Sequence, residues 1–217
     1  MISFLRATTP PRTNTATHNP ITYEGGISSV EFHAPNSKYI MTHKLPPQSS
    51  ENGTSILQPP FHLHIYQTEH FSLRSGTGHF YLGLDPKPFV TVSERPDAPK
   101  TVTIPSGRYH RFENASETDE LVLDIHLTPE SYENEQRFFR NFFGYLDDCK
   151  KAKMEPSLFQ LFVFLHAADT PLALPLPNEW LGTIVSRILL TAVAFWGRFM
   201  LGYQVSYPQY HEVRKSK

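Results

Sequence analysis

Short apolar pieces with alternating polar residues fill the first 130 residues of the chain. Between residues 27 and 129, strand-like pieces recur about every ten residues and are separated by turn residues such as Gly, Pro, Asn and Asp. These pieces are SSVEFHA, KYIMTHK, FHLHIYQ, EHFSLRS, HFYLGL, PFVTVSE, TVTIPSG, YHRFENA and ELVLDIHLT. Period-two alternation in evenly spaced short pieces is typical of an antiparallel sandwich or barrel.

The period changes to that of helices after Pro129. One face of the segment ENEQRFFRNFFGYLDDCKK is apolar and consists of Phe138, Phe139, Phe142, Phe143 and Leu146. A second helix is predicted over SLFQLFVFLHAAD, then a rigid connector over residues 171–177, and a third helix over about residues 178–203. We therefore expect an extended or disordered arm at 1–26, a β-barrel at 27–129 and a helical extension at 130–217.

The last predicted helix is the most apolar stretch of the chain and is nearly long enough to span a bilayer. However, Thr183, Arg187, Thr191, Ala194 and Arg198 fall on one helical stripe. Each arginine at the middle of a membrane would cost about 2.5 to 3.5 kcal/mol. We therefore expect the helix to pack over the barrel, with no membrane insertion.

Composition limits the remaining function classes. The chain has 21 acidic and 20 basic residues, so its net charge is too small to attract nucleic acid or anionic lipid. A single cysteine, Cys149, excludes an intramolecular disulfide and a cysteine-based zinc cluster. The first twenty residues lack the hydrophobic stretch of a signal peptide, so we expect a cytoplasmic protein.

Two histidines occupy alternate positions in the piece FHLHIYQ. Alternate side chains of a strand share a face, so His62 and His64 are expected to point the same way. Glu69 follows at a distance that would return it on the next strand. A single histidine at such a place is more often a hydrogen-bonded core residue than a metal ligand. The metal-site interpretation therefore needs support from a second segment.

The second segment is PSGRYHRFEN, in which a turn is followed by a strand that begins at His110. Together the segments read H-x-H-x(4)-E-x(6)-G over residues 62–76 and P-x-G-x(2)-H-x(3)-N over residues 105–114. These patterns resemble the paired motifs of the cupin superfamily, whose members are small β-barrels of the jelly-roll type. Pro99 stands where the family often has glycine, which affects a local turn rather than the metal site.

The C-terminal part also resembles a known element. The stretches FFRNFFGYLDD, PSLFQLFVFLHAAD and LGYQVSYPQY are similar to the helical extension of a subset of small single-domain cupins from bacteria and fungi. Many of those proteins have no assigned function, so this resemblance implies architecture and not a substrate.

The cupin resemblance implies one divalent metal ion with four protein ligands, His62, His64, Glu69 and His110. The donor set agrees, because imidazole suits Fe, Ni, Cu or Zn, a carboxylate adds one negative charge, and no thiolate is offered. Fe²⁺ is the first expectation, with Zn²⁺, Mn²⁺, Ni²⁺ or Cu²⁺ as alternatives. Glu69 is the residue expected to have a catalytic role beyond binding.

Further side chains could line the barrel mouth and contact a small-molecule substrate, although core packing explains each equally well: Tyr66, Phe71, Phe112 and His126. The leading hypothesis is an Fe(II) dioxygenase in secondary or catabolic metabolism. One alternative is a non-redox isomerase, dehydratase or cyclase of natural-product biosynthesis. Another is a non-catalytic small-molecule-binding cupin. Cupins often dimerise, so a homodimer is also considered.

Overall fold

The computed structural model describes residues 6–49 and 53–212 of the chain. Within these ranges the strands are β1 Ile21–Tyr23, β2 Ser28–Phe32, β3 Met41–Leu45, β4 Thr68–Ser75, β5 Thr77–Leu82, β6 Val90–Ser93, β7 Thr101–Ile104, β8 His110–Asn114 and β9 Leu121–Thr128. The helices are α1 Tyr132–Lys151, α2 Leu158–Ala167 and α3 Glu179–Phe195, and α3 continues into a π-helical turn at Trp196–Met200.

The strands form two antiparallel sheets. The larger sheet has the order β1-β2-β3-β9-β4-β7, and the smaller sheet has the order β6-β5-β8. This confirms the mainly antiparallel jelly-roll architecture expected from the sequence. Over the described ranges the strands belong to two separate sheets rather than to one closed barrel.

Eight of the nine strand-like pieces correspond to strands β2 to β9. FHLHIYQ was also predicted to be a strand, and this prediction is wrong. The segment is extended but forms only isolated β-bridges, at His62. β1 is an additional strand that lies within the segment predicted as an arm. Its Ile21 and Tyr23 are fully buried, so this short strand completes the edge of the larger sheet.

Register decides which side chains point between the layers. Met41 of β3 lies opposite Ile125 of β9, and Leu45 lies opposite Leu121. All four are buried, so this face is the inner face of the sheet. The residue between them on β3, two positions from each end, is His43, and it shares the inner face.

Helix α1 covers part of this inner face. Phe139 and Phe143 are buried in the main hydrophobic core, and the ring of Phe143 lies 6.1 Å from that of Tyr23 on β1. The sequence predicted this helix from its apolar face. It packs on the larger sheet because the three strands of the smaller sheet do not cover all six strands of the larger one. The Phe138, Phe142 and Leu146 side chains are half-buried.

The N-terminal segment before β1 has no helix or strand at residues 7–20. It is anchored to α1, because the Thr13 backbone N–H and hydroxyl donate to the two Asp148 carboxylate oxygens at 2.8 and 2.6 Å. Tyr210 donates to the same carboxylate at 2.6 Å. Residues 1–5 of the predicted arm and 213–217 of the predicted extension lie outside the described residues.

Helix α3 packs mainly on α2 rather than over the sheets. Ala194 of α3 joins Val163 of α2 in a small buried cluster. In the described part of the chain, one helix, Glu179–Met200, is long and apolar enough to cross a membrane by length and composition, and 28% of its most apolar window is buried. Length and composition alone are weak evidence, so the absence of membrane insertion stays a prediction.

Candidate metal centre

Three histidines and one glutamate that are far apart in sequence converge between the sheets. The metal-ligand cluster consists of His62, His64, Glu69 and His110. Each residue offers one ligand atom, and these atoms all lie within 4.8 Å of one another. Every member is buried, with at most 8% of its surface exposed.

Two different parts of the chain hold the histidine-bearing segment. On one side, His62 and His110 exchange backbone hydrogen bonds of 3.0 and 2.9 Å. On the other side, the Leu63 N–H donates to the Pro171 carbonyl at 3.1 Å, in the connector that follows α2. The segment is therefore fixed in an extended conformation without becoming a strand, which explains the difference from the sequence prediction.

The outer ring nitrogens of two of these histidines lie beside backbone carbonyl oxygens. His62 Nδ1 lies 2.9 Å from the Pro60 carbonyl, and His110 Nδ1 lies 2.9 Å from the Arg108 carbonyl. A carbonyl oxygen only accepts, so Nδ1 carries the proton and the Nε2 lone pair faces the cluster. This is the tautomer that a metal ligand requires.

The arrangement of His110 and Glu69 gives a direct test of whether a cation fits. His110 Nε2 lies 2.9 Å from Glu69 Oε2, and His64 Nε2 lies 3.5 Å from the same oxygen. With Nδ1 of His110 protonated, two lone pairs face each other at 2.9 Å, which is repulsive unless a proton or a metal ion lies near both. His64 Nε2 has no hydrogen-bond partner among the described residues. The donor set therefore fits a divalent cation.

Burial and neighbouring charge set the protonation of the cluster. Burial lowers the pKa of His62 well below its usual value, and the adjacent His110 and His64 lower it further. For Glu69, burial by itself raises the pKa, but the neighbouring His64 and His110 side chains outweigh it and hold the pKa well below 4.5. The cluster therefore favours a carboxylate with a neutral imidazole at His62, the forms that bind a metal.

Two other motif residues have structural roles. Gly76 joins β4 to β5 with a φ of +89°, and a Cβ atom there would lie 2.2 Å from the Glu120 carbonyl oxygen. Asn114 ends β8, and its side-chain amide donates to the Pro46 and Asp119 carbonyls at 2.9 and 2.8 Å. These residues fix the chain around the cluster without contacting it.

The cluster forms part of the wall of a cavity of ≈ 300 Å³, which we call the central cavity. Its remaining wall is mostly apolar and comes from the sheets, from the segment 56–60, from α1 and from α2. Among the described residues, Glu69 is the only Asp, Glu, Lys or Arg that lines it. The cavity is thus suited to an uncharged, largely apolar molecule.

Sequence reasoning missed His43, which also lines the central cavity. The signal was present, because His43 alternates with the apolar Met41 and Leu45 in KYIMTHK. Burial lowers the pKa of His43 to about 4, partly opposed by the charge of Glu69. Its imidazole is therefore neutral at physiological pH.

The residues expected to line the substrate pocket lie in different places. Phe112 lines the central cavity, and Phe71 is buried beside it, with the two ring centroids 5.2 Å apart. Tyr66 is 63% exposed and borders a separate pocket near the start of α1, because it lies beyond the segment that His110 and the connector fix. His126 lies opposite His70, out of phase with the inward-facing Ile125 and Leu127, so it does not line the cavity.

Proteins from two fungi are similar to this chain. It is 31% identical over 178 residues to the probable oxidoreductase virH of Hypocrea virens, an alignment that covers 78% of this chain and 74% of that protein. The chain belongs to the virH family. The oxidoreductase iacF of Pestalotiopsis fici is 36% identical over 148 residues, with 66% of this chain and 69% of that protein covered. No family model matches the chain.

The two antiparallel sheets of this virH-family chain agree with the jelly-roll fold that the cupin resemblance implies, and the metal-ligand residues of the two motifs converge between the sheets. Among solved structures, the cupin domain of Schizosaccharomyces pombe Cnp3 is similar, with a TM-score of 0.35 and 12% identity. That similarity covers 54% of this chain and 70% of the other.

Proposed function

We propose that the chain is a metal-dependent oxidoreductase that oxidises a small, uncharged organic molecule with dioxygen. The observation that carries the proposal is the convergence of three imidazoles and one carboxylate, with ligand atoms within 4.8 Å of one another, on the wall of an apolar cavity. The relatives named as oxidoreductases support oxidation over the isomerase, dehydratase or cyclase alternative.

The metal-ligand cluster would hold one divalent ion, with Fe²⁺ as the first choice. When bound, such an ion supplies electrons for dioxygen and polarises an oxygen atom of the substrate. Glu69 adds one negative charge, which offsets part of the charge of the ion and favours its oxidation. The backbone carbonyls at Pro60 and Arg108 keep His62 and His110 in the required orientation.

The central cavity would bind the substrate and exclude water from the reaction. Its aromatic and aliphatic wall gives affinity through apolar contact, and among the described residues it contains no Lys or Arg to neutralise an anionic substrate. We therefore expect a phenolic or enolisable compound that reaches the cluster with one oxygen atom.

The test begins with protein purified without a chelator, on which metal content is measured. Chelator-treated protein is then loaded anaerobically with Fe²⁺, and oxygen consumption is followed with a panel of catechols, hydroxynaphthalenes and 1,3-diketones. We expect one bound metal per chain and substrate-dependent oxygen uptake. His62→Ala and His110→Ala should lose both.

His79→Ala is the matched control, because His79 lies on β5 with an exposed hydrogen bond from its ring to Thr91 and is not part of the cluster. It should retain metal and oxygen uptake. Product formed equally well with Zn²⁺ in the absence of oxygen would instead support the non-redox alternative. Binding of panel compounds without any turnover would support a binding protein.

A further inference from the structure

His43 is a buried imidazole whose two ring nitrogens have no hydrogen-bond partner in the described part of the chain. The residue is 2% exposed, so water does not reach it from the surface. A buried polar group without a partner lowers stability, and an apolar side chain of similar size would avoid that loss. Folding alone therefore does not explain a histidine at this position.

The ring of His43 is held in a fixed place on the cavity wall. The ring centroids of Phe139 and Phe143 on α1 lie 5.8 and 5.5 Å from it, both in edge-to-face geometry. These contacts use the apolar surface of the imidazole and leave its nitrogens unsatisfied. His43 lies in the wall of the central cavity.

His43 and Glu69 lie at separate positions on the inner face of the larger sheet. His43 is opposite Leu123 of β9, and Glu69 is opposite Leu127 of the same strand. One strand and four residues therefore separate them, on the order of 15 Å along the sheet between Cα positions. The cavity wall thus carries polar side chains at His43 and at the metal-ligand cluster, and also Gln58, while most of the remaining wall, including Phe112 and Ile125, is apolar.

We propose that His43 binds a second polar group of the substrate, so that the substrate class is an uncharged ring compound with an oxygen atom at each end. This inference rests on the proposed function, because the first oxygen is the one directed to the metal-ligand cluster. A neutral imidazole has one donor and one acceptor nitrogen and pairs with a hydroxyl or a carbonyl group. A cavity of ≈ 300 Å³ holds a compound of two or three rings.

The test measures how much a second hydroxyl group contributes to binding. Protein loaded with Zn²⁺, which cannot reduce dioxygen, is titrated calorimetrically with 2-naphthol and 2,6-dihydroxynaphthalene, and with 4-hydroxybiphenyl and 4,4′-dihydroxybiphenyl. The naphthalene and biphenyl diols differ in the distance between their hydroxyl groups, so that one of them can reach from the metal-ligand cluster to His43. We expect at least one diol to bind about tenfold more tightly than its mono-hydroxy partner.

The variants His43→Leu and His43→Phe should reduce this ratio to less than about twofold while the mono-hydroxy compounds still bind. Two apolar variants of different shape are used in case one of them does not fold. Thermal unfolding shows whether each variant is folded. His43→Gln restores a donor and an acceptor and should recover part of the ratio. His126→Leu, on the outer side of the adjacent strand, should keep the full ratio.

Two readings separate this inference from the proposed function. Zinc content, measured on the same samples, tests the metal-ligand cluster alone. If zinc is bound and the ratio is absent in the unaltered protein, or is unchanged in His43→Leu and His43→Phe, His43 is a packing residue and the inference is wrong. If no zinc is bound, the proposed function fails, and the same ratio on metal-free protein still decides the role of His43.

Discussion

Thr170 Oγ1 lies 3.3 Å from His64 Nδ1, which connects the segment after α2 to the metal-ligand cluster. The Thr170 hydroxyl donates to the Ala168 carbonyl at 2.9 Å, so its oxygen accepts a hydrogen bond from the imidazole. The His64 Nε2 lone pair then faces the cluster. The helical extension is therefore part of the candidate metal centre and does more than cover the sheets.

Replacing this threonine tests the connection. Thr170→Val keeps the shape of the side chain but removes the acceptor for His64 Nδ1, so the imidazole is less well oriented. We expect metal affinity to fall about tenfold, as is usual when a supporting partner of a ligand is lost. Competition with a chelating dye measures this change.

Thr191→Val is the control for that variant, because the Thr191 hydroxyl on α3 donates to the Arg187 carbonyl at 2.9 Å and lies on the surface. It should bind metal as tightly as the unaltered protein. Equal affinity in Thr170→Val would show that the backbone alone orients His64.

Glu69→Gln separates charge from shape in the cluster. Glutamine fills the same space but removes the negative charge, so a bound Fe²⁺ becomes harder to oxidise. We expect metal affinity to fall and oxygen uptake to be largely lost, even at metal concentrations that saturate the variant. Metal content and oxygen consumption on the same samples check both. A variant with bound metal and full oxygen-dependent activity would refute the role given to Glu69.

Acid should destabilise the metal-free protein partly through His43. Its pKa falls from 6.5 in the unfolded chain to about 4 in the folded chain, so the folded imidazole stays neutral between these values. As pH falls below 6.5, the unfolded chain binds a proton that the folded chain does not, and the free energy of unfolding decreases. Between pH 7 and 5 this contribution is about 2 kcal/mol.

His43→Phe lacks that contribution and should lose less stability over the same interval. Urea unfolding at pH 7 and pH 5 in the presence of a chelator measures the difference, and the other buried histidines are common to both proteins. Parallel pH profiles would mean that His43 is protonated, or reached by solvent, in the folded chain.

Gly76 should tolerate substitution less well than the other motif glycine. Alanine at Gly76 combines a φ of +89° with a Cβ atom 2.2 Å from the Glu120 carbonyl oxygen, whereas Gly107 has a φ of +75° and no atom within 4 Å of a Cβ. We expect Gly107→Ala to lower the free energy of unfolding by about 1 kcal/mol and Gly76→Ala by roughly 3 kcal/mol or more. Similar values in denaturant unfolding would contradict the close approach at Gly76.

Helix α3 allows a test of the expectation against membrane insertion. Trp180, Ile188 and Phe195 are each more than half exposed, but Arg187 is also exposed in the middle of the helix. Because inserting that arginine costs about 2.5 to 3.5 kcal/mol, we expect the protein in the supernatant after ultracentrifugation of a lysate. Recovery in membranes that resists carbonate extraction would overturn this prediction.

Much of the fold could be read from the sequence because its causes are local. Period-two alternation predicted β2 to β9, and the apolar face that contains Phe139 and Phe143 predicted α1. The members of the metal-ligand cluster were predicted from the resemblance of the two motifs to those of cupins, not from local periodicity. The strands and α1 depend on neighbours within a few residues, which a single sequence displays directly.

Other features depended on contacts between distant parts of the chain. The segment around His62 and His64 looks like a strand, but its partners are His110 and the connector at Pro171, about 100 residues later, so only the tertiary structure decided that it is a bridged segment. The central cavity likewise exists because α1 and α2 cover what the smaller sheet leaves open. His43 alternates with core residues in the sequence, and it becomes a candidate substrate contact only because packing leaves its nitrogens unpaired beside that cavity.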